Sequence, residues 1–173
     1  MRYIFFVYVF LFVGCSAAAS LPDRIEVTNE HTNYTLNFNI DTNNIPTNIT
    51  NINKWVKINI KYSLASNLNG NIQEWQSPEK TLSNRTGVCI DKAILFLALV
   101  YVQTGVEGTI YYLQSKSITN LRHVVTTVGW EVYDPTAGSV NNEIGTNWTI
   151  LGQSSFRGVM YLVRNQKKLY NID

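Results

Sequence analysis

One cysteine in the middle of this chain stands where it could act as a nucleophile. Cys89 comes directly before a long apolar segment with helical spacing, so we expect it at the N-terminus of a helix. The positive end of the helix dipole and the unpaired backbone N–H groups at that position stabilise a thiolate, which is the nucleophilic form of cysteine. The backbone N–H of such a residue can also help to form an oxyanion hole.

A histidine and an aspartate follow at positions that suit the same chemistry. Val128-Gly129 is typical of a two-residue hairpin turn, and such a turn pairs His123 directly with Asp134 on one face. A carboxylate beside one ring nitrogen fixes the tautomer and leaves the other nitrogen for a thiol. The three residues therefore predict acyl transfer, in which the thiolate attacks an amide carbonyl and the imidazolium protonates the leaving amine.

This chemistry needs no metal or other cofactor, and the sequence offers no obvious metal site. The two cysteines and two histidines form no Cys-x-x-Cys or His-x-x-x-His pair. The second histidine, His31, lies in an Asn-rich turn and is interpreted as a surface residue. We therefore expect a site without a metal or a cofactor.

The element that must position Cys89 is the helix that follows it. Apolar residues occupy almost every side of this helix as far as Tyr101, which predicts a buried helix. Gly105 is placed to end it, and Gly87 permits a tight turn before it. A second helix is predicted over 47–61, because apolar residues recur there at helical spacing.

Segments rich in β-branched and aromatic residues follow the central helix and predict strands. They are Thr109–Leu113, His123–Val128, Trp130–Asp134 and Gly158–Arg164. Two earlier short strands are predicted at Arg24–Thr28 and Tyr34–Ile40, and residues 66–78 are predicted to form a loop. A helix-rich half followed by a mostly antiparallel sheet indicates an α+β fold, with the central helix packed on the sheet.

The N-terminus has the layout of a secretory signal over residues 1–19. Arg2 precedes the apolar run Tyr3–Val13, which is shorter than the roughly 20 residues that span a membrane. Cleavage after Ala17-Ala18-Ala19 would give a soluble secreted product, whereas Val13-Gly14-Cys15 resembles a bacterial lipoprotein box that would give a lipid-anchored Cys15 in the periplasm or cell envelope. An uncleaved anchor is the third alternative. We expect an exported chain with an Asn/Thr-rich extension over 20–45 and one domain over 46–173.

Size, charge and cysteine content restrict the remaining functions. The chain has 173 residues, of which 45% are apolar, which suits one domain with a real core. The formal net charge is only +2 and no Lys/Arg run occurs, so a nucleic-acid partner is not expected. Removal or lipidation of Cys15 would leave Cys89 alone; the alternative is a structural protein held by a Cys15–Cys89 disulfide.

Three segments resemble the transglutaminase-like core of bacterial proteins. WQSPEKTLSNRTGVCIDKA, ending at Ala93, contains a Gly-x-Cys-x-Asp-x-Ala helix start. His123 leads a strand, and Asp134-Pro135-Thr136 ends the next one. Residues 55–62 also resemble the helix that leads into such cores, so the resemblance covers about residues 45–138.

The resemblance implies a papain-like fold with a catalytic triad of Cys89, His123 and Asp134. It implies a thiol-dependent amide hydrolase or acyltransferase, of the peptidase or transglutaminase type, that acts on a peptide or protein substrate. Because some members of the family are inactive, the alternative is a catalytically inactive binding module of the cell envelope.

The family also uses an oxyanion partner upstream of the cysteine. Trp55, Tyr62 and Trp75 are the candidates for that role in this sequence. Asp91 matches the family motif as well, and its simplest physical role is to stabilise the first turn of the helix.

Overall fold

The computed structural model describes residues 34–63 and 75–169, with side chains as far as residue 165. Four helices and seven strands occur in these ranges. In chain order they are α1 (Ile49–Asn59), β1 (Lys61–Tyr62), α2 (Pro78–Asn84), β2 (Thr86–Gly87), α3 (Cys89–Thr104), β3 (Thr109–Ser115), β4 (Arg122–Val128), β5 (Glu131–Asp134), β6 (Ser139–Asn141), β7 (Trp148–Ser155) and α4 (Phe156–Leu169). The predicted signal, Cys15, His31 and the predicted strand Arg24–Thr28 lie outside the described residues.

The strands form one large antiparallel sheet and one small parallel pair. The large sheet has the order β6-β5-β4-β3-β7, and the small pair joins β1 to β2 just before α3. Helix α3 packs against β4 in the main core. The predicted α+β fold with a central helix on an antiparallel sheet is therefore confirmed.

Helix α3 is the central element of the core. Every residue from Cys89 to Val100 is buried, as expected for a helix that is apolar on almost all sides. It ends at Gly105, which has φ +71° and whose N–H donates to the Tyr101 carbonyl at 2.8 Å. The prediction for this helix and its C-terminal glycine is confirmed.

Helix α1 leads into the small parallel pair. It begins after Asn48, whose side chain accepts a hydrogen bond from the Asn51 N–H at 3.2 Å. Ile52 and Val56 point into the core with no exposed surface. The observed helix is two residues shorter at each end than the predicted 47–61.

One strand prediction in the first half of the chain is wrong. Residues 34–40 do not form a strand, although their side chains alternate between inward and outward positions. Leu36 is buried on the core, and Phe38 stacks on Phe156 with ring centroids 5.8 Å apart. Of the predicted loop over 66–78, residues 66–74 lie outside the described residues, 75–77 are irregular as predicted, and Pro78 begins α2 after the N-cap Ser77.

The predicted strand Gly158–Arg164 is also wrong, because it lies inside α4. Phe156, Val159 and Met160 point into the core with at most 1% exposed surface, and their spacing is that of one helix face. The fifth strand of the sheet is β7, which the sequence analysis missed together with β6.

The hairpin between β4 and β5 has a different register from the one predicted. Val128 pairs with Glu131, so the turn residues are Gly129 and Trp130, and Gly129 takes φ +62° at the first turn position. Continued along the strands, this register sets Asp134 opposite Val125. His123 is then a diagonal neighbour of Asp134 on the same face, not its direct partner as predicted.

Candidate active site

Cys89 occupies the first position of α3. It carries a thiol and is 8% exposed, which leaves a small accessible surface on a residue at the edge of the core. The N-terminal N–H groups of α3 and its dipole act on this position. The predicted placement of Cys89 at a helix N-terminus is therefore observed.

The turn before α3 is held by the carboxylate of Asp91. This residue is only 1% exposed, and its Oδ1 accepts the Gln76 backbone N–H at 2.8 Å. Its Oδ2 accepts the Val88 N–H at 3.0 Å and the Gln76 side-chain amide at 3.3 Å. Burial raises the pKa of Asp91, and these three donors oppose the increase. Asp91 thus joins the segment before α2 to the residue that precedes Cys89, beyond the helix-stabilising role expected from the sequence.

The side chain of Gln76 and the absence of a side chain at Gly87 complete this network. The Gln76 side chain donates to the Thr86 carbonyl at 3.3 Å and accepts from the Asn84 amide at 3.2 Å. A Cβ atom at Gly87 would lie 2.8 Å from the Cβ of Asp91, so the backbone can pass there only without a side chain. The position of Cys89 is therefore set by a closely packed polar turn.

His123 and Asp134 form a direct side-chain pair on the sheet. His123 Nε2 lies 2.7 Å from Asp134 Oδ2, and each side chain is 16% exposed. The other oxygen, Oδ1, accepts the N–H groups of Thr136 at 2.9 Å and Ala137 at 3.0 Å. Because an ionised carboxylate only accepts hydrogen bonds, Nε2 carries the proton here and Nδ1 is the second ring nitrogen available for chemistry.

The charge state of Asp134 follows from its partners. Burial alone would raise the pKa of this carboxyl, but the hydrogen bond and charge of His123 and the two backbone N–H donors outweigh burial and lower it. The carboxylate is therefore ionised at neutral pH. An ionised partner of this kind stabilises a protonated imidazole.

Trp148 is a neighbour of His123 that sequence analysis missed. The ring centroids lie 5.6 Å apart with an interplanar angle of 36°. Trp148 also packs on the second apolar cluster of the sheet, which includes Leu113 and Val125. It forms an apolar side wall of the histidine, and no pattern in the sequence around it indicated this role.

The three oxyanion candidates occupy different environments. Trp55 lies under the guanidinium of Arg85, which is 5.3 Å from the ring centroid. Trp75 stacks on Tyr112, with ring centroids 6.4 Å apart. Tyr62 is the Cα partner of Gly87 in the small parallel pair, which sets its strand beside the turn two residues before Cys89. Of the three, Tyr62 is the one whose strand pairs with the turn that leads to Cys89.

A buried lysine near the cysteine was also missed. Lys92 is the only basic residue of α3 and is 2% exposed. It follows Cys89 by three residues, a spacing that sets both side chains on one face of the helix. A single basic residue inside a mostly apolar helix is the sequence signal that could have identified it.

Metal binding finds no support in the described part of the chain. Residues 34–63 and 75–165 contain no group of three or more His, Cys, Asp or Glu side chains that could hold an ion. A separate finding concerns the helices of the described ranges: none is both long and apolar enough to cross a bilayer.

A helix that carries a cysteine at its N-terminus and a sheet that carries a His–Asp pair define a papain-like class of α+β protein. One family model matches this chain. The family model described as a transglutaminase-like domain matches residues 31–132, more than half of the chain. The chain belongs to this transglutaminase-like family, within the wider group of cysteine peptidase and transglutaminase-type proteins. The matched region contains Cys89 and His123 and ends two residues before Asp134.

Among solved structures, the chain is similar to one described as "a Putative Cysteine Protease from Cytophaga hutchinsonii". The two are 20% identical with a TM-score of 0.40, and the match covers 63% of this chain and 42% of the other. The chain thus spans less than half the length of that protein. Curated protein sequences give no match.

Proposed function

We propose that this protein is a thiol-dependent amide hydrolase or acyltransferase with the catalytic triad Cys89, His123 and Asp134. The observation that carries the proposal is the 2.7 Å contact between His123 Nε2 and Asp134 Oδ2. It occurs in a member of the transglutaminase-like family whose cysteine begins the central helix. A hydrogen-bonded carboxylate that orients an imidazole is the arrangement that activates a nucleophile.

In the first half of the reaction, the Cys89 thiolate attacks the carbonyl carbon of an amide. A C–S bond forms, and the carbonyl electron pair moves to oxygen to give a tetrahedral oxyanion. The C–N bond then breaks while protonated Nδ1 of His123 delivers its proton to the leaving amine. Asp134 remains ionised throughout and stabilises the imidazolium through Nε2.

In the second half, water or a primary amine attacks the thioester. His123 Nδ1 removes one proton from the attacking group, the C–S bond breaks, and the thiolate of Cys89 is released. Water gives hydrolysis and an amine gives transamidation. The backbone N–H of Cys89 and the side chain of Tyr62 are proposed to stabilise both oxyanions, because the strand of Tyr62 runs beside Gly87.

The first test is the pH dependence of Cys89 alkylation by iodoacetamide, resolved from Cys15 by peptide mass spectrometry. We expect rapid alkylation near neutral pH in the wild type and a sharp decrease in His123→Ala, because the imidazolium that stabilises the thiolate is lost. His31→Ala is the matched control, since it removes the other histidine, and should leave the rate unchanged. Slow alkylation that His123→Ala does not alter would contradict the proposal and favour the catalytically inactive binding module.

The second test separates hydrolysis from transfer. Glutamine-containing and ordinary peptides are incubated with the full chain, with and without a primary amine, and products are identified by mass spectrometry. Incorporation of the amine would assign acyl transfer, whereas peptide or ammonia release alone would assign hydrolysis. No product from any acyl donor, together with reactive Cys89, would restrict the site to thiol chemistry without amide turnover.

We also propose that the chain is exported, either as a soluble product or as an envelope lipoprotein anchored through Cys15. The support is the signal-like sequence of residues 1–19. Intact mass of the mature protein tests this directly. Loss of the first 19 residues indicates soluble export, a lipidated Cys15 indicates membrane attachment, and an intact N-terminus contradicts both routes.

A further inference from the structure

The site contains a buried cation that the triad mechanism does not use. Lys92 is 2% exposed, although a lysine is almost never fully buried unless its charge is offset. The ion pairs found within residues 34–63 and 75–165 do not include it. Charged groups around the start of α3 instead act on it at longer range.

The charged groups around Lys92 come from several elements. Cys89 stands on the same face of α3, whereas the carboxylate of Asp91 turns away toward the Gln76 segment. From β5, Asp134 acts on Lys92 through its charge. His123 on β4 is bonded to that carboxylate, and half-buried Arg122 precedes it in the strand. From α1, exposed Lys57 also acts on Lys92.

These neighbours explain how Lys92 keeps its charge. The pKa of Lys92 is lowered to about 8 overall: burial lowers it most, the charge of Asp134 raises it, Lys57 lowers it and Cys89 raises it. At neutral pH the ammonium is therefore still the main form. Both negative groups that favour it, the Asp134 carboxylate and the Cys89 thiol in its ionised form, belong to the proposed triad.

We propose that Lys92 is a positioning residue that supplies the buried positive charge needed to keep the Cys89 thiolate and the Asp134 carboxylate ionised together. This inference rests on the proposed function and deepens it. A triad of thiolate, imidazolium and carboxylate has one net negative charge in a largely buried site, which is unfavourable. With Lys92 these four groups are neutral in sum.

The same balance holds after the first chemical step. When the thioester forms, the thiolate charge disappears into a covalent bond and the imidazolium has lost its proton to the leaving amine. Asp134 and Lys92 then remain as one negative and one positive group. The four groups are thus neutral before and after acylation, so neither state leaves an uncompensated charge in the core.

The decisive experiment is the pH profile of Cys89 alkylation in Lys92→Met. Methionine keeps the length and apolar stem but removes the charge. The pH midpoint of alkylation should rise by about one unit, because loss of a nearby opposite charge disfavours the thiolate. The rate below the midpoint should fall about tenfold, which is the thiolate fraction lost with one unit.

Two variants serve as controls. Lys57→Met removes an exposed lysine on α1 and should change the rate less than twofold, because solvent screens that charge. Lys92→Arg keeps a cation at the same position and should restore a midpoint close to that of the wild type. Urea unfolding should find Lys92→Met folded but less stable than the wild type, because removal of one partner leaves the negative charge of the site uncompensated.

Several results would overturn the inference. An unchanged midpoint in a folded Lys92→Met would show that the charge does not act on Cys89. If Lys92→Met fails to fold, Lys92→Gln takes its place, and failure of both would make Lys92 a structural residue. Slow wild-type alkylation that His123→Ala does not change would instead refute the proposed function, and this inference with it.

Discussion

The turn before α3 and the β4–β5 hairpin each contain one carboxylate with little solvent exposure, but the two are held differently. Asp91 is 1% exposed and accepts only neutral N–H donors from Gln76 and Val88. Asp134 is 16% exposed and accepts His123 as well as two backbone N–H groups. The shifts in pKa are opposite, because burial dominates at Asp91 and raises it, whereas at Asp134 the partners outweigh burial and lower it.

The contrast separates a carboxylate with a structural role from one with a chemical role in the site. Neutral donors fix a backbone path without creating a partner that can exchange protons. A titratable donor such as His123 creates one. We therefore interpret Asp91 as a structural residue that holds the backbone before Cys89. Asp134 is interpreted as the residue that orients His123 for proton transfer.

The largest expected effect is on chemistry, in Asp134→Asn. The amide cannot stabilise the imidazolium, so turnover should fall about 10³-fold or more. The free energy of unfolding should change by only about 1 kcal/mol, because the amide oxygen can still accept N–H groups. Rates of amide turnover or of Cys89 alkylation, measured beside urea unfolding, check both. A large loss of stability with unchanged reactivity would reverse the assignment.

The corresponding change on the cysteine side is Asp91→Asn, with its main effect on stability. The new NH₂ group cannot accept the N–H donors that the lost oxygen accepted, which leaves buried donors unpaired. Unfolding should become easier by about 2–4 kcal/mol. Urea denaturation measures this, and the folded fraction should keep the wild-type pH midpoint of alkylation. A variant as stable as the wild type would show that the turn does not depend on Asp91.

The dependence of stability on pH should separate the two carboxylates. The folded pKa of Asp134 is lowered, so its ionised form contributes stability above about pH 4, and the contribution is lost as pH falls further. The folded pKa of Asp91 is raised, so its contribution is greatest in acid and declines as pH rises above about 4. The stability difference between wild type and Asp134→Asn should therefore shrink from pH 5 to pH 3.

For Asp91→Asn the same difference should not shrink over this interval. Urea unfolding at three pH values compares the two variants directly. Parallel behaviour of both variants would mean that Asp91 and Asp134 titrate alike and would contradict the opposite pKa shifts.

The smallest expected effect lies at the start of α2. Ser77 caps this helix by accepting the Lys80 N–H at 3.3 Å, next to Gln76. Ser77→Ala should lower the free energy of unfolding by about 0.5–1 kcal/mol. The loss of stability in Ser77→Ala can be compared directly with that in Asp91→Asn, because Ser77 follows Gln76, a partner of Asp91. A loss as large as that of Asp91→Asn would show that the cap and the carboxylate act as one unit.

The sequence was most informative where one physical signal dominated. An apolar surface on all sides and a C-terminal glycine were enough to predict α3 and the place of Cys89 at its start. The hairpin was also predicted, but Gly129 was assigned to the second turn position instead of the first. That error shifts the pairing without changing the face, so His123 and Asp134 still meet as diagonal neighbours.

Other signals were ambiguous in physical terms. Alternation over 34–40 correctly gave the direction of the side chains, but alternation does not specify a hydrogen-bonded partner strand. The short apolar run Gly158–Arg164 fits a strand and a helix face equally, and packing of Phe156 and Val159 on the core selected the helix. The network of Gln76, Asp91 and Gly87 depends on contacts across 15 residues, which no local pattern reveals.

Gly87 has a consequence for how this sequence can change over generations. A single methyl group there would collide with Asp91, and Asp91 in turn anchors Gln76. A single substitution at any of these three positions would give a protein that folds poorly. We therefore expect the three residues to be inherited together. In a set of descendants, variation should collect on outer positions such as Trp130, which is 96% exposed, while this trio stays linked.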